Sequence, residues 1–126
     1  MFRNAAILAL GILGANAHAY TLCNNGNIEE VGDAYIEIDI LEDGVAIMPY
    51  EASISLDASQ IDYRENVMSV INQPVVMTSE GEASNVLLNA MLILSPDLTQ
   101  LYAAVSYDQG EFLTYSLTCK SYEEHQ

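Results

Sequence analysis

The sequence predicts an all-β protein: a small antiparallel β-sandwich or closed barrel of about eight strands. Three observations predict it. Apolar and polar residues alternate with a period of two in several short stretches, the pattern of strands buried on one face. Turn-forming residues recur every 8–12 positions or so, as they do in all-β domains. The only two cysteines, Cys23 and Cys119, stand near opposite ends of the chain, so a bond between them would join the first and last strands.

The chain of 126 residues opens with the features of a secretory signal peptide. Arg3 supplies a positive start, residues 5–15 form an apolar run, and Ala17-His18-Ala19 offers a small-x-small cleavage site before Tyr20. Ala15-Asn16-Ala17 offers a second. Eleven apolar residues fall short of the roughly 20 needed to span a bilayer. Residues 1–19 are therefore expected to be removed, leaving one β domain over residues 20–126 with a frayed tail at 121–126. The expected location is the periplasm or the exterior, where two cysteines pair. Their bond closes a loop of about 97 residues and contributes up to about 4.7 kcal/mol in the chain-entropy account.

Each element follows from local pattern. Residues 20–23 read as a short first strand, ended by the Asn24-Asn25-Gly26-Asn27 turn. Residues 28–33 form an acidic connector. Residues 34–40 alternate most clearly, with Ala34, Ile36, Ile38 and Ile40 on one face and Tyr35, Glu37 and Asp39 on the other. Glu42-Asp43-Gly44 turns the chain into a strand over 45–48, which Pro49 ends. Residues 51–56 alternate again and stop at Asp57-Ala58-Ser59. Residues 61–71 fit neither period, and a helical turn over 63–68 competes with extended structure. Asn72-Gln73-Pro74 reads as a break before a short strand at 75–78. Residues 79–84, SEGEAS, read as a polar, mobile loop.

Residues 86–94, VLLNAMLIL, are apolar on both faces. Ala, Leu and Met favour a helix, but the Ser95-Pro96-Asp97 turn that leads straight on favours a central strand. Its second face, Leu87, Met91 and Ile93, is then either covered or in contact with something else. Residues 98–120 form the clearest hairpin. Leu101, Ala103, Val105 and Tyr107 alternate with Tyr102, Ala104 and Ser106. After Asp108-Gln109-Gly110, Leu113, Tyr115, Leu117 and Cys119 alternate with Phe112, Thr114, Ser116 and Thr118.

Charge and chemistry narrow the function. All 18 carboxylates follow residue 19, against only Arg64 and Lys120, and the full chain carries −15. Such a surface repels nucleic acid and anionic lipid, which need basic patches, and no membrane span is expected. It serves either as a solvated coat or as a face that steers a cationic partner. Beyond residue 19 the one histidine is His125, so the usual general base is missing. No metal-ligand spacing, Gly-rich phosphate loop or nucleophile elbow occurs. The chain is expected to be no enzyme, to carry no cofactor or metal, and to act as a protein-interaction module that inhibits or binds a basic protein or peptide. Outward-facing Tyr102 and Phe112 are the candidate partner-binding residues, unless they serve only as a cross-strand aromatic pair. Two alternatives stand beside this reading. A small-molecule or lipid carrier would use an apolar barrel cavity. An envelope structural subunit would use the Leu87, Met91 and Ile93 face.

Overall fold

The computed structural model describes residues 17–26 and 34–125. It is an all-β structure of nine antiparallel strands, eight of them closed into a barrel. The strands are β1 (Ala17–Asn24), β2 (Ile36–Leu41), β3 (Gly44–Pro49), β4 (Ala52–Asp57), β5 (Asp62–Arg64), β6 (Val67–Ser79), β7 (Glu82–Leu94), β8 (Gln100–Tyr107) and β9 (Leu113–His125). Around the barrel they lie in the order β4-β3-β2-β1-β9-β8-β7-β6, and β6 pairs back onto β4. β5 is the extra strand, set against the start of β6. Residues 1–16 of the expected signal peptide and the acidic connector at 28–33 lie outside the described residues.

Alternation determines which side chains enter the barrel. Ile36, Ile38, Val45, Ile47, Ile54, Leu88, Leu92, Leu101, Ala103, Val105 and Leu117 are all buried. Every one falls on the inward parity of its strand. Burial removes about 1.5–3 kcal/mol of unfavourable hydration for each large side chain among them. Ile36, Ile38, Ile47, Leu88, Ala103 and Val105 have no accessible surface at all. A water-sized space beside any of these six, inside or outside, would give it some. The interior there is filled by side chains rather than hollow, as the width of an eight-stranded barrel allows.

The first and last strands meet as expected. β1 and β9 are paired from Ala17↔His125 to Asn24↔Thr118. Cys23 and Cys119 are direct partners in that register, their Cα atoms are 4.0 Å apart, and they form a disulfide. So short a separation belongs to the narrow, non-hydrogen-bonded type of antiparallel pair. The bond points inward, next to Ile38 of β2. β9 continues through His125 against Ala17–Ala19, the last three residues of the expected signal peptide; with residues 1–19 removed, the β1–β9 pairing runs from Tyr20↔Tyr122 to Asn24↔Thr118 and residues 123–125 keep no β1 partner.

Other expectations needed correction. No helical turn forms over 63–68. Instead β5 and β6 make a tight hairpin around Glu65-Asn66, with Glu65 at a φ of 56°. The only short helical element nearby is a 3-10 turn at Ala58–Gln60. Asn72-Gln73-Pro74 does not end a strand, since β6 runs unbroken from Val67 to Ser79. It marks a bulge: Val70 faces Ala90 and Gln73 faces Leu88, so Ile71 and Asn72 share the space opposite Asn89. Asn72 adopts a φ of 46° and is held by its neighbour: its N–H donates to Asn89 Oδ1 at 2.9 Å, and Asn89 Nδ2 donates to Asn72 Oδ1 at 3.1 Å. The supposed mobile loop at 79–84 is a two-residue turn. Glu80 and Gly81 both have positive φ, the geometry that matches strand twist in tight hairpins. Residues 86–94 are strand, within the longer β7.

The weakest part of the wall lies between β4 and β6. Only Ala52, Ser53 and Ile54 pair there, with Ser79, Thr78 and Met77. β5 faces β6 in the register that β4 would have if it ran on unbroken. β4 and β5 are thus two halves of one interrupted strand, and residues 55–61 part from residues 70–76. The Asp57 carboxylate holds this detour by accepting from Ser59 N, while Gln60 Oε1 accepts from Asp57 N. On the far side of β4, Gly44 lies so close that a Cβ there would meet Leu56 O at 2.1 Å.

The disulfide should carry much of the stability. Replacing both cysteines by serine is expected to cost about 2–5 kcal/mol in urea unfolding, without changing the far-ultraviolet circular dichroism of the native state. A change under about 0.5 kcal/mol would show that the β1–β9 ladder closes the barrel unaided.

Candidate functional site

The outer surface divides into two unlike halves. On the first, β2 turns Glu37 and Asp39 outward, and β4 ends in Asp57. The adjoining turns add Glu42, Asp43 and Glu51. On the second, β6, β7, β8 and the stretch of β9 before Lys120 carry one charged residue, Glu82, at the very start of β7. The outward positions there form cross-strand rows. One row is Val67, Ile93, Tyr102 and Ser116; the next is Ser69, Met91, Ala104 and Thr114. Val76 and the bulged Ile71 continue the surface along β6. Ile71 is 77% exposed, Val76 52%, and Met91 and Tyr102 each 47%. At one end of this uncharged wall Glu65 and Asp97 stand with Arg64 and Lys120, and at the other end lie four acids, Glu80, Glu82, Asp108 and Glu111.

The two candidate aromatics do not come together. Register puts Ser116 opposite Tyr102. Phe112 precedes β9, four residues from Ser116, and so lies about 13 Å further along. The cross-strand pair is therefore not formed. Tyr102 lies in the row of the uncharged wall nearest Glu65 and Asp97, and Phe112, 55% exposed, sits on the turn at the opposite end. The stacked aromatic pair that does form is Tyr20 with Tyr122, ring centres 5.3 Å apart, across the β1–β9 seam. The sequence held the signal for it: with Cys23 opposite Cys119, antiparallel counting places Tyr20 opposite Tyr122. The uncharged wall was legible in the same way, as the long charge-free run of residues 66–79.

Several acids hold turns. Asp97 Oδ1 accepts from Ser95 Oγ and Thr99 Oγ1, each at 2.7 Å, and from Thr99 N at 3.2 Å. Those bonds, led by the Thr99 hydroxyl, keep its carboxyl below the usual range. Asp108 Oδ1 accepts from Leu87 N at 2.9 Å. Asp39 is the exception in the other direction. Partial burial, and then the neighbouring Glu37 carboxyl, push its carboxyl up to about 7. One of its oxygens, Oδ1, is buried without a hydrogen-bond partner among the described residues. The Glu37 carboxylate in turn accepts from the Tyr35 hydroxyl at 3.2 Å.

Among the described residues no three metal-ligating side chains converge. The two best-formed depressions are open troughs on the outside of the barrel. One lies along the parted edge of β4 and β6, lined by Ser53, Ser55, Gln60, Pro74 and Val76 among others, and the second lies between β3 and β4. Inside, Tyr107 stands opposite Leu88, and burial, then Tyr115, pushes its phenol up to about 12. Searches against protein-family models, characterised proteins and solved structures find no match.

Asp39 yields a pH signature. Its folded carboxyl holds a proton that the unfolded chain releases near the ordinary value of 3.8. Stability is therefore favoured while it is protonated and falls as pH rises toward and through about 7. Asp39→Asn removes that penalty. Thermal melts should show the variant equal to the parent near pH 4 and more stable by pH 8, the gap opening between them. A gap of the same size at both pH values would contradict the assignment.

Proposed function

We propose that this protein is an exported interaction module, periplasmic or secreted, that captures a cationic protein or peptide. One observation carries the reading: the chain has 18 acids against three bases, and the described acids gather on the β2 side and on turns at both ends of the barrel. A field of one sign raises the encounter rate with a partner of the other. The Cys23–Cys119 disulfide points to an oxidising compartment. The absence of a histidine between residues 19 and 124 supports binding rather than acid–base catalysis. The filled interior speaks against the carrier alternative, since a carried molecule would need space beside Ile36, Leu88 and Val105, which have none.

The test is a panel of cationic secreted proteins (lysozyme, ribonuclease A, cytochrome c) and a neutral control, measured by titration calorimetry. At least one cationic member should bind at about 20 mM salt, and its affinity should fall by tenfold or more at 300 mM, where exposed charges are screened. No binding by any member at low salt would remove the reading.

A second reading, an envelope structural subunit, rests on a specific observation: Met91 is exposed and Leu87 and Ile93 are half-buried on the outward face of β7. It expects self-association. A strict monomer by light scattering, at low and high salt, would count against it.

A further inference from the structure

We infer that the partner seats on the outer wall formed by β6, β7, β8 and β9 before Lys120, presenting an apolar surface flanked by lysine or arginine. This inference rests on the reading of the protein as a binder of cationic partners and adds where and how the contact is made.

The distribution of charge is the first argument. A chain this acidic could place carboxylates on any outward position of four adjacent strands at little cost, since such positions face water. Instead the outward rows hold Val67, Ile93, Tyr102, Met91 and Ala104, with Ile71 and Val76 along β6. Apolar surface left in water is unfavourable by roughly 25 cal/mol for each Å², and contiguous patches of it mark contact sites. Tyr and Met are also enriched at the centres of protein interfaces, where charged residues are depleted.

The second argument is complementarity. Glu80, Glu82, Asp108 and Glu111 border one end of the apolar wall with negative charge, while at the other end Glu65 and Asp97 stand with Arg64 and Lys120. A partner that matches brings basic residues to the acidic end and an apolar surface to the wall. A second copy of this chain matches less well, because two chains that each carry a net −15 repel on approach.

The third argument is rigidity. The wall side chains project from paired strands, and the bulge that presents Ile71 is fixed by the Asn72–Asn89 amide pair and by Gln109 Nε2 donating to Asn72 Oδ1 at 3.4 Å. Little ordering is needed on binding, so little affinity is lost to it.

The experiment puts a charge at the centre of the wall. Met91 is outward and exposed, so Met91→Glu and Met91→Lys should fold, which thermal melts of each variant check. With the tightest cationic member of the panel as probe, both variants should weaken binding by tenfold or more. If contact were made by the acidic coat elsewhere, Met91→Glu would bind as well as or better than the parent, and only Met91→Lys would weaken. That result overturns the inference while leaving the cationic-partner reading intact. Failure of every panel member to bind the parent protein overturns both. A dimer at 1 M salt that Met91→Glu abolishes would assign the wall to a second copy and overturn the hetero-partner.

Discussion

The structure depends on the seam between β1 and β9. An antiparallel meander closes only if its first and last strands find each other, and here they are separated by nearly the whole chain. Closing so long a loop is entropically costly before any contact repays it. From Tyr20 onward the chain meets that cost with five consecutive β1–β9 pairs, Tyr20↔Tyr122 to Asn24↔Thr118, and a disulfide set among them. Because the bond is inward, it also serves as core, packed beside Ile38. The opposite seam, between β4 and β6, has three pairs and a parted stretch beyond them. The barrel is therefore closed firmly at one seam and loosely at the other.

Closure also decides where function can lie. A barrel without free long edges leaves little backbone to add a partner strand. Its interior is occupied by Ile36, Ile38, Leu88 and Val105 and their neighbours, which leaves the outer face as the surface for recognition. That surface is not uniform. Acids gather on the β2 side and on the turns, where Asp57, Asp97 and Asp108 also hold the backbone. β6, β8, β7 after Glu82 and β9 before Lys120 are uncharged and partly apolar. Acidic turns and an uncharged wall are separate parts of one surface.

Most of the fold was legible because period-two alternation is a direct consequence of strand geometry. The inward sets of β2, β7, β8 and β9 follow from it, as does the Cys23–Cys119 partnership. Misreadings came from residues with two meanings. Asn and Pro in β6 looked like a terminator. In a long strand next to a parted edge, Asn72 instead fills a left-handed bulge position, and Pro74 is tolerated where pairing is weak. SEGEAS looked mobile because it is polar, yet Glu80-Gly81 supplies the two positive φ values of a tight turn and the rest is strand. The site was less legible. Tyr102 and Phe112 share an outward parity, but parity does not set register, and register separates them. The wall itself emerges only when four strands are laid side by side.

Native-state hydrogen exchange, followed residue by residue with increasing urea, tests the closed-seam account most directly. The Leu22 and Lys120 amides, in the hydrogen-bonded β1–β9 pair beside the disulfide, and the other amides of that ladder should exchange only through global unfolding. Those amides of residues 70–76 that point to the parted edge rather than to β7 or Asn89 should exchange earlier, through local opening that urea barely changes. Seam amides that exchange as fast as these edge amides would contradict the account, and would place the closing interaction somewhere other than β1 and β9.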